Sequence, residues 1–444
     1  MANKIFKEIY NQKLIPSSEV KKFIKSNTNL AFSMHFMQPR KILEEIANIA
    51  RSDKDFKINA YYFSAKQNAA DTILDFDLNK QIVPNTFFMQ DTERKILKRQ
   101  KEESLDEKRV FFIPAHFSDS PRIFSENLKI DSFVTMVSPM NEYGYMSMGL
   151  SNDYSSTAVR LAKTVIVEVN KNIPFVIGEN NLIHVSDVSA IVEHDSPLQE
   201  VVDLPPTPEE ETIAKIVSEF IPDRACIQMG IGGLPNSICN ELYNKKDLGI
   251  HTEVLTTGMI GLIKAGVVTN KYKKINKNIS VFTFAIGNKQ MYEELHLNPT
   301  IQSFPVNYVN DPYVISKIDN LVSINSTIEI DLTGACNSEY LNGHQFSATG
   351  GQVDFVRGAY MSQGGKSIIA LTSTTKNKKF SKIVARLSGP TTTLRNDVHW
   401  VVTEYGAVNL KGLNTVQRAR ALINLAHPDF REDLEKQARE LNLL

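Results

Sequence analysis

Short apolar, β-branched runs alternate with stretches of helical spacing along most of the chain, and this alternation limits the fold more than any other feature. Runs at 110–114, 133–138 and 164–169 read as strands, with helical patterns at 121–127 and 156–163 between them. The rhythm then returns. Strands are expected at 226–229, 252–255, 280–284, 322–325, 368–372 and 399–403, and helices at 208–220, 236–243, 258–265, 288–295, 311–318 and 414–425. Strands separated by helices build βαβ units and mainly parallel sheets. Between the two series lies Leu204-Pro205-Pro206-Thr207-Pro208, followed by three glutamates. Proline stiffens such a segment, and few contacts cross it. Thr207 is placed to cap a helix beginning near Pro208, with acidic residues in its first turn. The expectation is an α/β chain of two tandem, similar domains, 1–203 and 211–444, joined by a linker at 204–210. No internal repeat is visible by residue identity.

At 444 residues the chain has room for two sizeable cores. It is 42% hydrophobic and 23% charged, which excludes a mainly disordered chain. Lys+Arg and Asp+Glu both number 50, so no global charge argues for nucleic acid or a membrane surface. Residues 90–109 are highly charged and read as a solvated helix. Cys226, Cys239 and Cys336 have neither metal-type nor disulfide-framework spacing and read as buried small residues. The first ten residues lack an apolar signal core, and no run is long and apolar enough to span a bilayer. A soluble, cytoplasmic protein is expected.

The stretch 226–258 concentrates the candidate chemistry. A buried strand at 225–229 ends in Gly230-Ile231-Gly232-Gly233, and Pro235 follows at the start of a helix. A second strand, 250–255, carries Glu253 near its carboxyl end. Ligands of open α/β sheets sit at the carboxyl ends of strands, so the glycine amides and this carboxylate can face one crevice. Three readings compete. One is an ordinary turn with a strand-end glutamate. A second is a dinucleotide fingerprint, but its third glycine is here Pro235, which prevents close helix–strand contact. The third is a nucleophilic carboxylate beside amides that hold an acyl oxygen.

Other segments add candidates. Residues 349–358 and Gly364-Gly365-Lys366 form a second glycine-rich region, read as a loop that lets backbone approach a ligand or as a set of tight turns. Lys376, Lys378, Lys379 and Lys382 follow a strand and suit either a phosphate-bearing ligand or a solvated face. Glu404 also ends a strand and rivals Glu253 on pattern alone. His116 reads as a satisfied core or loop histidine, and the Met and Phe residues of 33–39 as core.

At these residues the chain resembles the acetyl-CoA hydrolase/transferase family, and within it the 4-hydroxybutyrate and butyrate CoA-transferases. The matching stretches include PAHFSDSP (114–121), VSPMNEYGYMSMG (137–149), IQMGIGGLPNS (227–237), KKDLGIHTEVLTTG (245–258), IEIDLTGACNSEY (328–340), GGQVDFVRGA (350–359) and DVHWVVTEYGAVNLKG (397–412). They cover about 110–444, and the first 110 residues match poorly. The resemblance implies two open α/β domains of CoA-transferase type with the active site at their interface. It makes Glu253 the nucleophile and leaves Glu404 a structural role. It assigns CoA contacts to Gln228, Met229, Gly230, Ile231 and Gly232, then to Ile328, Gly351 and Lys376. It implies acyl-CoA and a small carboxylic acid as substrates, no metal or redox cofactor, and a homo-oligomer, dimer or tetramer. The implied chemistry is ping-pong transfer through a glutamyl-CoA thioester. An acyl-CoA hydrolase using the same site is the alternative, and a non-catalytic CoA- or dinucleotide-binding module is a third. The sequence departs from the family at Ala335-Cys336, at Thr256-Thr257 and at Met34-His35-Phe36-Met37-Gln38-Pro39.

Overall fold

The computed structural model describes residues 2–202 and 205–444. The chain divides into two compact units, 1–201 with 283–307, and 202–282 with 308–444. This division is discontinuous, where the sequence reading has continuous halves at 1–203 and 211–444. Asp203 and Leu204, at the expected boundary, lie outside the described residues. Positions 208–210 of the expected linker form the first turn of the helix Pro208–Glu219. Thr207 caps that helix in a reciprocal box: its Oγ1 accepts from Glu210 N at 3.3 Å, and Glu210 Oε2 accepts from Thr207 N at 2.8 Å.

The first unit is built on β1 (Thr28–Phe32), β2 (Ile58–Tyr62), β3 (Ile82–Thr86), β4 (Phe111–Phe112), β5 (Ser132–Val137), β6 (Thr164–Val169) and β7 (Ala190–Glu193). Their order is β4-β3-β2-β1-β5-β6-β7, and every pairing is parallel. All six residues of β5 are buried, which is why four of them are large and apolar and the other two are the small Ser132 and Thr135. The helix Arg40–Ser52 packs Ile42, Leu43, Ile46 and Ala47 into the same core as Leu30, Phe32, Val134 and Ile166. Pro39 precedes this helix and offers no side-chain cap. Instead Glu168, fully buried on β6, accepts from Lys41 N at 2.8 Å and Ile42 N at 3.1 Å. Burial raises the Glu168 pKa to about 7, and the two helix N–H groups oppose that rise.

The second unit is built on β8 (Cys226–Met229), β9 (Gly249–Thr256), β10 (Leu321–Asn325), β11 (Lys366–Ala370), β12 (Trp400–Thr403) and β13 (Gly406–Asn409). They lie in the order β9-β8-β10-β11-β12-β13. The pairings are parallel except β12 with β13. Val356, Ile369, Leu371, Val401, Leu422 and Leu434 share one buried cluster. The strand order reverses at β8: the chain passes to β9 on one side and later to β10 on the other. A crevice at the carboxyl ends of strands opens at such a reversal.

The α/β class and the mainly parallel sheets agree with the sequence reading. Two local readings change. The glycine-rich stretch 349–358 is mostly the helix Gln352–Met361, with Val353, Phe355 and Val356 buried. Only Gly350, at φ +56°, takes a conformation that favours glycine there. The charged stretch 90–109 is helical only over Asp91–Glu102. Among the described residues no helix is long and apolar enough to cross a membrane.

Candidate active site

Side chains alternate across a strand, so His251 and Glu253 project from one face of β9. Glu253 is half-buried, and both its neighbours, Thr252 and Val254, are buried. The side-chain amide of Asn310 donates to Glu253 Oε2 at 2.7 Å. The Gly351 N–H is a second donor to the same carboxylate. A Cβ at position 351 would overlap Glu253 Oε2 and Asn310 Nδ2, so only glycine lets the backbone come this close. Burial raises the Glu253 pKa to about 7, and the hydrogen bonds from Asn310 and Gly351 draw it back down. The result is a carboxylate poor in solvation yet oriented by two donors.

The start of β9 is held independently. Ile250 N donates to Asn270 Oδ1 at 2.9 Å, and Lys273 Nζ donates to Ile250 O at 2.8 Å and Ile279 O at 2.7 Å. Lys273 is buried, and desolvation lowers its pKa to about 8. These side chains satisfy strand groups that a neighbouring strand would otherwise pair.

The glycine loop leaves β8 beside this site. Thr252 Oγ1 donates to Met229 O at 3.4 Å, tying the last residue of β8 to the strand that bears Glu253. Gln228 and Met229 are buried, and Gln228 Oε1 accepts from Asn325 Nδ2 at 3.3 Å at the end of β10. Ile231 is 56% exposed. Gly232, at φ +123°, precedes the helix Gly233–Glu241, and open space lies beside Gly230 and Gly232 where side chains would stand. The loop therefore sits at the reversal of strand order with an accessible face.

Of the other expected positions, Gly351 touches Glu253 directly. Ile328 is half-buried, and its N–H donates to Asn337 O at 3.1 Å. Lys376 is exposed in the turn that follows β11, like Lys378 and Lys379. Lys382 differs: it is half-buried, and its ammonium donates to Thr372 Oγ1 at 2.9 Å. Glu404 accepts from Ser373 N at 2.9 Å and Ser373 Oγ at 2.6 Å. That arrangement ties the end of β12 to the segment after β11. The three cysteines are buried, and burial pushes the Cys226 thiol up to about 11. In the first unit, His116 Nδ1 is buried without a partner among the described residues, contrary to the satisfied histidine expected. His35 and Ser64 are also buried there, at φ +49° and +47°, with Ser64 Oγ 3.4 Å from His35 Nδ1.

Sequence reasoning missed Asn310, His251, Lys273 and Asn325. Asn310 stands before Asp311-Pro312, a turn signal that hides a side-chain role.

Residues 2–203 match the N-terminal domain, and residues 287–438 the C-terminal domain, of acetyl-CoA hydrolase/transferase. The chain is 39% identical to a succinyl-CoA:cyclohexane-1-carboxylate CoA transferase of Geobacter metallireducens, over 99% of this chain and 98% of that one. It is 38% identical to a 4-hydroxybutyrate coenzyme A transferase of Clostridium kluyveri, over 98% and 99% of the two chains. The crystal structure of RipA from Yersinia pestis aligns with a TM-score of 0.96 at 47% identity, covering 99% of this chain and all of that one. With both domains matched and relatives similar end to end, the chain belongs to the acetyl-CoA hydrolase/transferase family and is a CoA-transferase.

Proposed function

We propose that this enzyme moves CoA from an acyl-CoA donor to a small carboxylic acid by a ping-pong mechanism, with Glu253 as the nucleophile. The observation that carries this reading is the desolvated Glu253 carboxylate, aimed by Asn310 at 2.7 Å and backed by a residue that has to be glycine. Donors of the acetyl-, butyryl- or succinyl-CoA type and acceptors such as 4-hydroxybutyrate, butyrate or itaconate fit the class. The 4-hydroxybutyrate relative and a butyryl-CoA:acetate CoA-transferase of Anaerostipes caccae support a short-chain acid, whereas the cyclohexane-1-carboxylate relative supports a bulkier one.

In the first half-reaction a Glu253 oxygen attacks the thioester carbonyl and the C–S bond breaks. CoA leaves as thiolate, and an acyl-glutamyl anhydride remains. The thiolate then attacks the Glu253 carbonyl carbon. The anhydride C–O bond breaks, releasing the donor's carboxylate and leaving a glutamyl-CoA thioester. The incoming carboxylate attacks this thioester and reverses the sequence. Backbone amides at Gly230, Ile231 and Gly232 are suited to the oxyanion, and one such donor is typically worth about 3 kcal/mol. Gln228, Met229, Ile328, Gly351 and Lys376 complete the proposed CoA contacts, with the exposed ammonium of Lys376 serving a polar group of CoA.

Two-substrate initial-rate kinetics test the reading. Parallel lines in double-reciprocal plots are expected, with exchange of label between acyl-CoA and its own free acid when no acceptor is present. Intersecting lines without exchange would contradict it.

A further inference from the structure

Asn310 has little local structure to hold it. It lies between two single-turn helices, Val306–Val309 and Pro312–Ile315. The last carbonyls of a helix have no partner within it, and Asp311-Pro312 prevents the first turn from continuing. Yet Asn310, fully buried, brings its Nδ2 to 2.7 Å from Glu253 Oε2, with Asp354 Oδ2 a longer contact at 3.5 Å. The peptide carbonyl just before it, Val309 O, lies 2.8 Å from His251 Nε2. A carbonyl only accepts, so Nε2 carries the hydrogen. His251 is fully buried, and its ring centre lies 6.3 Å from that of Tyr308 and 6.4 Å from that of Phe355. Nδ1 has no partner among the described residues. Burial and the nearby Lys273 ammonium lower the imidazole pKa to about 3, so the ring remains a neutral donor rather than a counter-ion to Glu253.

We propose that His251 is a positioning residue for CoA transfer: it anchors the Val309 carbonyl and thereby keeps the Asn310 amide aimed at Glu253. The two ends of this bracket, His251 and Glu253, share one face of β9, so a single rigid strand fixes both the carboxylate and the group that orients it. This inference rests on the reading of Glu253 as nucleophile.

The test uses the full-length enzyme. His251→Phe removes the N–H and keeps a ring; His251→Gln keeps an N–H at similar reach. The Phe variant is expected to lose about ten- to a hundredfold in kcat while KM for acyl-CoA stays within about twofold. The Gln variant is expected to recover most of that loss. In an Asn310→Ala background, adding His251→Phe is expected to change kcat by less than about twofold, because the route through Asn310 is already gone. Equal losses in both backgrounds, or a rise in KM alone, would overturn the proposal. Should the Phe variant not fold, nitrogen NMR of the wild-type ring decides. A neutral ring protonated at Nε2 between about pH 5 and 8 supports the proposal, and the other tautomer or a charged ring overturns it. The two layers fail separately. If the wild-type enzyme forms no adduct at Glu253, the nucleophile reading falls. If the adduct forms but the substitutions at 251 and 310 multiply, only the positioning role falls.

Discussion

The Asn310 amide lies 2.7 Å from Glu253 Oε2, in space that any side chain at position 351 would invade. Gly351 has φ −95°, a value open to any residue, so alanine there imposes no backbone strain. Its methyl group would instead displace the carboxylate and the amide. Gly351→Ala is therefore expected to fold normally by circular dichroism and to lose about a hundredfold in kcat. Full activity would mean that this close packing is incidental.

The pH dependence follows from the raised pKa of Glu253, about 7. Only the ionised carboxylate attacks, so the rate of the first half-reaction is expected to rise with pH and level off above about pH 7. Stopped-flow release of CoA under single-turnover conditions measures this. A rate flat down to about pH 5 would show that the carboxylate is ionised at an ordinary value.

The same shift has a stability consequence of opposite sense. A carboxyl whose folded pKa exceeds its unfolded value stabilises the fold fully below the unfolded value. That contribution is lost as pH rises from about 4.5 to about 7. Glu253→Gln removes the ionised form. It is expected to abolish transfer and to raise stability at pH 8 by about 1–3 kcal/mol, with little gain at pH 5. Thermal melts at the two pH values check the sign.

Glu168 is a purely structural counterpart. It is the buried carboxylate that takes up the N–H groups of Lys41 and Ile42 where Pro39 leaves the helix uncapped. Glu168→Leu strands those donors in the core and is expected to cost about 1–3 kcal/mol in denaturant unfolding. A change under about 0.5 kcal/mol would mean that the helix start is satisfied in another way.

Lys376 is exposed, so its charge is well solvated in the free enzyme. If it meets a polar group of CoA, Lys376→Ala should raise KM for acyl-CoA about three- to tenfold, leave kcat near wild type and weaken the salt dependence of KM. An unchanged KM removes it from the CoA contacts.

Legibility in the sequence followed burial. β5, β6 and β8 are mostly apolar runs, and their positions were readable within a residue or two; β9 was readable at 250–255 although His251, Thr252 and Glu253 interrupt its apolar residues. β1, β2 and β3 were not, because Asn29, Asn59 and Pro84 interrupt them. Pro84 in particular argues against a strand, yet it pairs in register with Ala60. The helix Gln352–Met361 was hidden by the glycines ahead of it. Glu253 was legible as a strand-end carboxylate near a glycine loop, and the family resemblance set it above Glu404. Asn310 and His251 were not legible. Asn310 reaches Glu253 across 57 positions of chain, and His251 acts on a backbone carbonyl 58 positions away. No local pattern encodes contacts of that kind.

The nucleophilic role of Glu253 is tested most directly by incubating the enzyme with acyl-CoA, reducing with borohydride, and locating the resulting mass change. Borohydride converts a glutamyl thioester to an alcohol, a small mass loss that peptide mapping assigns to one residue. The loss is expected at Glu253, dependent on acyl-CoA and absent from Glu253→Gln. A loss mapping to Glu404, or none with any acyl-CoA that the enzyme turns over, would contradict it.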